Sequence, residues 1–327
     1  MECNVYDLNL NRVGVLTTWV SMVWDESYNS GGSFQLEAQQ TDAVAQLLRP
    51  DRYAGIAESQ TLMLIKAVQI SDGKIVASGY PADIIFGDRV STAVVSNTNA
   101  EAALRSLVSS MQPWPAVELG ESAGLTDTFA AEKSDASLRE YMQIIAQAVD
   151  MGFRLRHDKK AKKLLFECYK PGLNTNARYS TMYGNMGELE YSVSTASLKN
   201  VAVVAGAGEG DARVTVTAGD TASTGADRRE MYVDARQEQP VGGESDADYK
   251  ARLVRFGEEK LVGQVKIENF SFVLDDDKAK LGDIVTCIVP EIGVKLQVRI
   301  TGVKRMSQSN STTVEVSVGT PIILRRW

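Results

Sequence analysis

The sequence predicts a β-rich α+β protein with two small β-barrel-like domains, an α+β domain between them and a helical insertion. Short β-branched runs bounded by turn residues occur toward both ends. Helical spacing with capping signals occurs in the middle, and 327 residues exceed what one hydrophobic core usually organises. The predicted domains are residues 1–91, 92–195, and 196–226 with 264–327, the last interrupted by an insertion at 227–263.

The first β domain is predicted as a meander of strands with one short helix. A strong turn signal stands at residues 29–32, and Thr41 is placed to cap the helix. A turn at residues 71–73 joins the last two strands into a hairpin. The expected strands are Val13–Val20, Ser21–Tyr28, Phe34–Ala38, Leu62–Ile70 and Lys74–Gly79.

The α+β domain is predicted from two amphipathic helices and a hairpin. Thr98 with Glu101 has the spacing of a capping box, and so has Ser137 with Glu140. Gly152 stands where the cap at the C-terminal end of the second helix is expected. Two strands then pair around a lysine-rich, solvated turn at residues 159–163.

The second β domain is predicted from strands on both sides of the insertion. Ser245 and Asp248 open a helix within the insertion. A polar turn is expected at residues 306–310, between the last two strands. The strands expected after the insertion are Val265–Leu274, Asp283–Val289, Leu296–Lys304 and Thr312–Val318.

Composition and charge exclude several classes of protein. No apolar run approaches the roughly 20 residues of a membrane helix, so no stable membrane insertion is expected. The first residues lack a basic and an apolar signal region, which predicts assembly in the cytoplasm. The net charge of −7 argues against a protein that binds double-stranded DNA.

No residue is assigned to catalysis, to a cofactor or to a metal. His157 is the sole histidine, so a metal site with two histidine ligands is excluded. The residue is expected on an exposed charged turn. Residues 275–277 are three aspartates that lack the further ligand spacing of a calcium loop. The three cysteines lie far apart and are interpreted as small buried hydrophobic residues; they are Cys3, Cys168 and Cys287.

The glycine-rich segment that contains Gly206, Gly208 and Gly210 admits two interpretations. A strand followed by such a segment can cradle a phosphate when a helix follows. Here a β-branched run follows instead, and Glu209 and Asp211 would repel an anion. The sequence therefore favours a bulged or tight connection between strands.

Two further groups of residues are candidate turn or interface positions. Arg228 and Arg229 precede a short strand, and Asp234 and Arg236 follow it. Pairing of arginine with carboxylates at a subunit or domain interface and ordinary surface salt bridges both fit this pattern. Gly282 and Asp283 are interpreted as a turn that enters a strand.

Several segments in order resemble the baseplate-hub proteins of siphophage and prophage tails. These proteins are similar in architecture to the hub of contractile-tailed phages and to the N-terminal part of tail-associated lysins. The resemblance spans nearly the whole chain and is carried by GGSFQLEA (31–38), ISDGKIVASGYPADIIFGDRV (70–90), NVAVVAGAGEGDARV (200–214), GADRREMYVDAR (225–236) and LGDIVT (281–286).

The resemblance implies a non-enzymatic structural subunit of the hub at the distal end of a tail tube, located in the virion tail. In such hubs, three chains with two barrel domains each form a ring that matches a sixfold tube. The implied partners are two further copies of the chain, proteins at the end of the tube, and tip or fibre proteins. DNA would pass through the ring without specific binding, and no cofactor is implied.

Two alternatives stay open. One is a tail-associated peptidoglycan hydrolase, whose catalytic domain would follow the hub part. The chain ends at Trp327, so no such domain is expected after the last strand. The other is a carbohydrate-binding tip protein, which would need an exposed aromatic platform, whereas aromatic residues make up only 7% of the chain.

Overall fold

The computed structural model describes residues 2–90, 98–111, 113–129, 137–261, 264, 267–274, 280–308, 311–319 and 322–326. Strands outnumber helices throughout, so the predicted β-rich α+β class is confirmed. The chain forms two compact units, Met1–Glu190 with Phe270–Trp327, and Tyr191–Asn269. The barrel-like form expected for the β domains stays a prediction.

The first unit begins with antiparallel strands and one short helix. Its first elements are β1 (Cys3–Tyr6), β2 (Arg12–Leu16), β3 (Ser21–Ser27), β4 (Ser33–Gln39), α1 (Asp42–Leu47), β5 (Tyr53–Gly55), β6 (Met63–Ser71) and β7 (Lys74–Pro81). The hydroxyl of Thr41 accepts a hydrogen bond from the amide of Val44 at 3.2 Å, which is the predicted cap. β2 ends at Leu16, four residues before the predicted end.

Two helices and a small sheet follow. They are β8 (Thr98–Asn99), α2 (Ala100–Ser110), β9 (Val117–Leu119), β10 (Thr128–Phe129), α3 (Leu138–Ala148), β11 (Gly152–Asp158) and β12 (Lys163–Tyr169). The capping box of Ser137 and Glu140 is present at the start of α3. Gly152 is the first residue of β11 and does not cap α3, whose last turn ends at Val149.

The start of α2 differs from the prediction. Asn99, not Thr98, is the cap, because its side chain accepts a hydrogen bond from the amide of Ala102 at 2.8 Å. Glu101 is only 2% exposed and turns away from the cap. Its carboxylate accepts hydrogen bonds from the amides of Ala123 at 2.6 Å and Leu125 at 2.8 Å. Glu101, which was predicted to cap α2, therefore binds the backbone of a loop more than 20 residues later in the chain.

The remaining strands of this part of the chain are β13 (Leu173–Ser180), β14 (Met186–Ser194), β18 (Ile267–Leu274), β19 (Ile284–Val289), β20 (Val294–Gln308), β21 (Ser311–Val318) and β22 (Ile322–Arg326). β20 pairs antiparallel with β3, and Arg305 lies opposite Trp24. The two predicted β domains thus share one hydrogen-bonded sheet. β20 extends to Gln308, so residues 306–308, which were predicted in a turn, belong to the strand.

Alternation along β6 divides the core of the first unit into two clusters. Leu64, and Leu62 just before β6, pack in a cluster with α2, α3, β11 and β12. Met63 and Ile65 point to the opposite face and pack with β3, β4 and β7. Successive side chains of a strand point to opposite faces of the sheet, so the helices cover one face of this strand, and side chains from other strands of the same sheet pack against its other face.

The second unit is a three-stranded sheet with one helix packed on it. Its elements are β15 (Val201–Ala205), β16 (Thr215–Gly219), β17 (Glu230–Asp234) and α4 (Asp246–Leu261). β15 pairs antiparallel with β16 and parallel with β17. Apolar side chains on one face of the sheet, including Val204 and Val233, pack with Tyr249 and Leu253 of α4. Ser245 caps α4 as predicted, accepting from the amide of Asp248 at 3.2 Å.

These pairings differ from the predicted grouping of strands. The sequence predicts that residues 196–226 and 264–327 form one domain and that residues 227–263 are an insertion within it. In the structure, β17 supplies the parallel neighbour of β15, and α4 supplies its apolar cover. A strand is stabilised by the neighbours that bury it, so β17 and α4 form one unit with β15 and β16. The division into three domains and an insertion stays a prediction.

Candidate functional site

The glycine-rich segment closes the hairpin between β15 and β16. The amide of Gly206 donates to the carbonyl of Val214 at 2.8 Å, and a single turn at Gly210–Ala212 leads toward β16. Gly208 has φ of +101°, and a Cβ atom there would lie 2.4 Å from the carbonyl oxygen of Ala212. This is a tight strand connection, not the strand-to-helix turn that a phosphate loop requires.

Gly206 also allows the helix of the second unit to approach the sheet. A Cβ atom on Gly206 would lie 2.5 Å from the hydroxyl of Tyr249 and 2.7 Å from Cδ1 of Leu253. That hydroxyl accepts from the amide of Ala207 at 2.8 Å and donates to the carbonyl of Glu238 at 2.6 Å. The glycine loop, α4 and the segment after β17 therefore meet at one tyrosine.

Arg213 connects the glycine loop to the end of β17. Its Nε donates to the carbonyl of Gly206 at 3.1 Å, and its Nη2 donates to the carbonyl of Ala205 at 3.0 Å. The same Nη2 lies 2.8 Å from Oδ1 of Asp234, and Nη1 donates to the hydroxyl of Tyr232 at 2.9 Å. Arg213 was not predicted as a site residue. The one sequence feature that could have indicated it is its position directly before the β-branched run at residues 214–217.

Asp234 and Arg236, both predicted candidates, are in direct contact. Nε of Arg236 lies 2.9 Å and Nη2 lies 2.6 Å from Oδ2 of the carboxylate. These hydrogen bonds, with a smaller contribution from Arg213, lower the pKa of Asp234 to about 2. Tyr232 beside them is 61% exposed, although its hydroxyl is held. We call Arg213, Tyr232, Asp234 and Arg236 the tyrosine patch.

The predicted candidates Arg228 and Arg229 lie at the opposite end of β17. Nε of Arg228 lies 2.6 Å from Oε1 of Glu230. The amide of Arg229 donates to Oδ1 of Asn200 at 2.8 Å, just before β15 begins. These contacts hold the turn before β17 against the start of β15. They are separate from the tyrosine patch, so the two predicted pairs do not form one network.

Gly282 and Asp283 belong to a different cluster, in the first unit. Gly282 has φ of +88°, and a Cβ atom there would lie 2.8 Å from Cε2 of Tyr28. Oδ2 of Asp283 accepts a hydrogen bond from the side-chain amide of Asn174 at 2.8 Å. The carbonyl of Asp283 accepts from the amide of Ile300 at 2.8 Å. The turn is thus packed against residues far away in the sequence.

Arg299 is the centre of this cluster and was not predicted. It is 9% exposed, and its Nη1 donates to the carbonyls of Gly282 at 2.6 Å and Pro171 at 2.8 Å. Its Nε lies 2.8 Å from Oδ2 of Asp150, and its guanidinium stacks 5.2 Å from the centroid of the Tyr28 ring. Arg299 therefore contacts four separate parts of the chain, at Tyr28, Asp150, Pro171 and Gly282.

A cleft of about 370 Å³ also lies in the first unit. Glu26 is in its wall, where Oε1 accepts from the hydroxyl of Ser59 at 2.7 Å and Oε2 lies 3.1 Å from Nη1 of Arg305. Burial raises the pKa of Glu26, opposed by Ser59 and Arg305. Arg154, also in the wall, pairs with Glu167 at 3.0 Å.

The sole histidine does not lie on the exposed turn that the sequence predicted. His157 is the sixth residue of β11 and is half-buried, with its ring edge-on to Tyr6 at 4.8 Å. Burial and, secondarily, Lys159 lower its pKa. Across the described ranges, no group of three or more His, Cys, Asp or Glu residues could hold a metal. Asp275–Asp277 lie outside those ranges. No helix in the described part of the chain is long and apolar enough to cross a membrane.

Comparison with known proteins identifies the family. Residues 2–320 match the model of the family described as siphovirus ReqiPepy6 Gp37-like protein. The chain belongs to this family. No curated protein matches it.

Solved structures of tail proteins share the fold. The 43 kDa tail protein of prophage MuSo2 from Shewanella oneidensis has a TM-score of 0.62 at 10% identity, covering 98% of this chain and 98% of that chain. The tail protein from Neisseria meningitidis MC58 has a TM-score of 0.59 at 14% identity, covering 97% and 95%. A chain of the p2 virion baseplate in its activated conformation has a TM-score of 0.50 at 10% identity, covering 97% and 99%.

Proposed function

We propose that the protein is a structural subunit of a phage or prophage tail and forms the baseplate hub at the distal end of the tail tube. The observation that carries this proposal is a fold shared over nearly the full length of both chains with two tail proteins and with a virion baseplate protein. Membership of a siphovirus protein family supports it. The role is architectural, with no reaction assigned to the chain.

The hub assembles as a homotrimer that joins the tube to tip or fibre proteins. A ring of three needs a heterologous contact, in which one patch of each chain meets a different patch of the next. Assembly takes place in the bacterial cytoplasm, and the finished ring is part of the virion tail. A net charge of −7 suits a ring through which DNA passes without binding.

The tyrosine patch is our candidate for one side of that contact. Tyrosine and arginine are enriched among the residues that dominate binding at interfaces. Here an exposed ring is held in one orientation by Arg213, and each arginine is paired with Asp234. A preorganised side chain loses less conformational entropy on association, so Tyr232 is suited to anchor a partner chain.

Immunogold electron microscopy on particles from the producing strain, with a count of copies per particle, tests the hub role. We expect label at the tail tip alone, at about three copies. Label along the whole tail would indicate a tube protein. Absence of label from every particle would refute the virion location.

Native mass spectrometry of the purified chain tests the patch. We expect trimers whose dissociation constant rises at least about tenfold in Tyr232→Ala, since loss of a binding anchor costs about 2 kcal/mol or more. Tyr183→Ala is the matched control, because Tyr183 is 60% exposed but lies in the first unit. Equal effects of the two variants would contradict the assignment of the patch.

Incubation with purified cell wall separates the hub from the hydrolase alternative. A structural hub releases no soluble fragments over the background of heat-inactivated protein. Release of fragments by the native chain would overturn the non-enzymatic role.

A further inference from the structure

We propose that the cleft of the first unit binds a short, uncharged saccharide. This goes beyond the structural role and does not rest on it, because the cleft lies within one chain. Its wall combines loop residues near Gly31 and Gln60 with side chains of β3, β11 and β20.

The size of the cleft fits a mono- or disaccharide. Its volume of about 370 Å³ lies at the lower end of the range of about 300–1,000 Å³ that is usual for small-molecule sites. The loop over one side is tied down, because the side-chain amides of Gln143 and Gln147 donate to the carbonyls of Ser30 and Asn29. The cleft is thus largely formed before a ligand arrives.

The charges of the cleft argue against an ionic ligand. Three carboxylates and three cationic side chains line it; they are Glu26, Glu58, Asp83, Arg154, Arg305 and Lys280. The deep ones are already paired, as in the contacts of Glu26 with Arg305 at 3.1 Å and of Asp83 with Arg139 at 2.8 Å. A charged ligand that reached these deep groups would have to break such pairs or be buried without a partner, and either costs free energy.

The same paired groups retain hydrogen-bonding capacity for a neutral polar ligand. Arg305 uses one of its five N–H donors on Glu26, and each carboxylate oxygen can accept more than one hydrogen bond. Hydroxyl and amide groups stand beside them in the wall, including Ser30, Gln60 and Gln143. Sugar hydroxyls both donate and accept, so they match a wall that offers both kinds of partner.

Apolar side chains supply the remaining contact area. Phe153, Leu281 and Val303 line the cleft between the polar groups. The ring of Tyr169 is covered by the guanidinium of Arg154, 4.9 Å from its centroid, so stacking on that face is blocked. The C–H groups of a sugar ring would contact the aliphatic walls instead, as in pockets that mix apolar lining with a few polar groups.

Saturation-transfer difference NMR and calorimetry on the full-length chain test the proposal. The neutral probes are maltose, lactose, N-acetylglucosamine and diacetylchitobiose, and the charged probes are inorganic phosphate and glutamate. We expect at least one neutral probe to bind with a millimolar or lower dissociation constant. We expect no binding of phosphate or glutamate that depends on this cleft.

Two substitutions locate the binding. Gln60→Trp places a larger side chain in the wall of the cleft and should weaken binding at least about tenfold, equivalent to 1.4 kcal/mol. Gln69→Trp is the matched control, since Gln69 is exposed on β6 and lies outside the cleft. Gln143→Leu removes a lining amide together with its hydrogen bond to the carbonyl of Ser30 and should also weaken binding, which provides a second test if the Gln60 variant misfolds.

Three results would overturn the proposal. They are binding of none of the neutral probes at millimolar concentration, unchanged saccharide binding in both cleft variants, or cleft-dependent binding of phosphate or glutamate in place of a sugar.

Discussion

Replacing Arg299 with methionine should destabilise the first unit far more than removing the acid that pairs with it. Methionine keeps most of the apolar volume, so the change chiefly removes hydrogen-bond donors and charge. Nη1 of Arg299 donates to the carbonyls of Gly282 and Pro171 at 2.6 Å and 2.8 Å. After the substitution both carbonyls lose that donor.

The magnitude follows from burial. A buried acceptor without a donor costs about 1–3 kcal/mol, and the partly buried Pro171 carbonyl belongs at the lower end. Loss of the cation over the Tyr28 ring adds about 0.5–1 kcal/mol. The expected loss in free energy of unfolding is therefore about 2–5 kcal/mol. Asp150→Asn should cost about 0–1 kcal/mol, because the Asp150 side chain is 59% exposed.

Urea unfolding followed by circular dichroism measures both variants against the unmodified chain. The midpoint should fall strongly in Arg299→Met and little in Asp150→Asn, with unchanged slopes. Equal losses in the two variants would show that the ion pair, not the two carbonyls, accounts for the role of Arg299. A loss below about 1 kcal/mol in Arg299→Met would refute the argument from burial.

Three further predictions concern other parts of the chain. Gly206→Ala should lower the free energy of unfolding of the second unit by about 1–3 kcal/mol through overlap with Tyr249 and Leu253. Thermal melts should show little change in Gly242→Ala, where a Cβ atom meets nothing within 4 Å. The pKa of Asp234 is lowered to about 2, so its stabilising contribution is present above the unfolded pKa of about 3.9 and is lost as pH falls through 2. Carbon-13 NMR should find that midpoint near 2 and higher in Arg236→Gln; an unchanged midpoint would contradict the assigned cause. Burial raises the pKa of Cys3, Cys168 and Cys287 to about 12. A thiol reagent should therefore label them slowly in the native chain and fully in urea, and rapid native labelling would contradict this.

The features that the sequence predicted well depend on neighbours along the chain. Ser137 with Glu140 and Ser245 with Asp248 begin helices because the cap and the amide that it accepts from are three residues apart. The hairpin around the glycine loop followed from a β-branched run on each side. The free, buried state of the cysteines followed from their wide spacing.

The features that the sequence missed depend on distant partners. Glu101 had the spacing of a capping residue, but its carboxylate binds a loop more than 20 residues later in the chain. Gly152 had the position of a helix cap, but a Cβ atom there would lie 2.4 Å from Tyr28. Spacing in the sequence cannot distinguish a local partner from a distant one of the same chemistry.

By itself, the sequence determined the β-rich class and the starts of the helices at Ser137 and Ser245. These follow from periodicity and from short-range hydrogen bonds. Only the tertiary structure decided that β17 pairs with β15 while α4 covers their sheet, that Arg213 contacts Tyr232 and Asp234, and that Arg299 contacts four separate segments. Each of these contacts gains its free energy by burying groups that the chain brings together only when it folds.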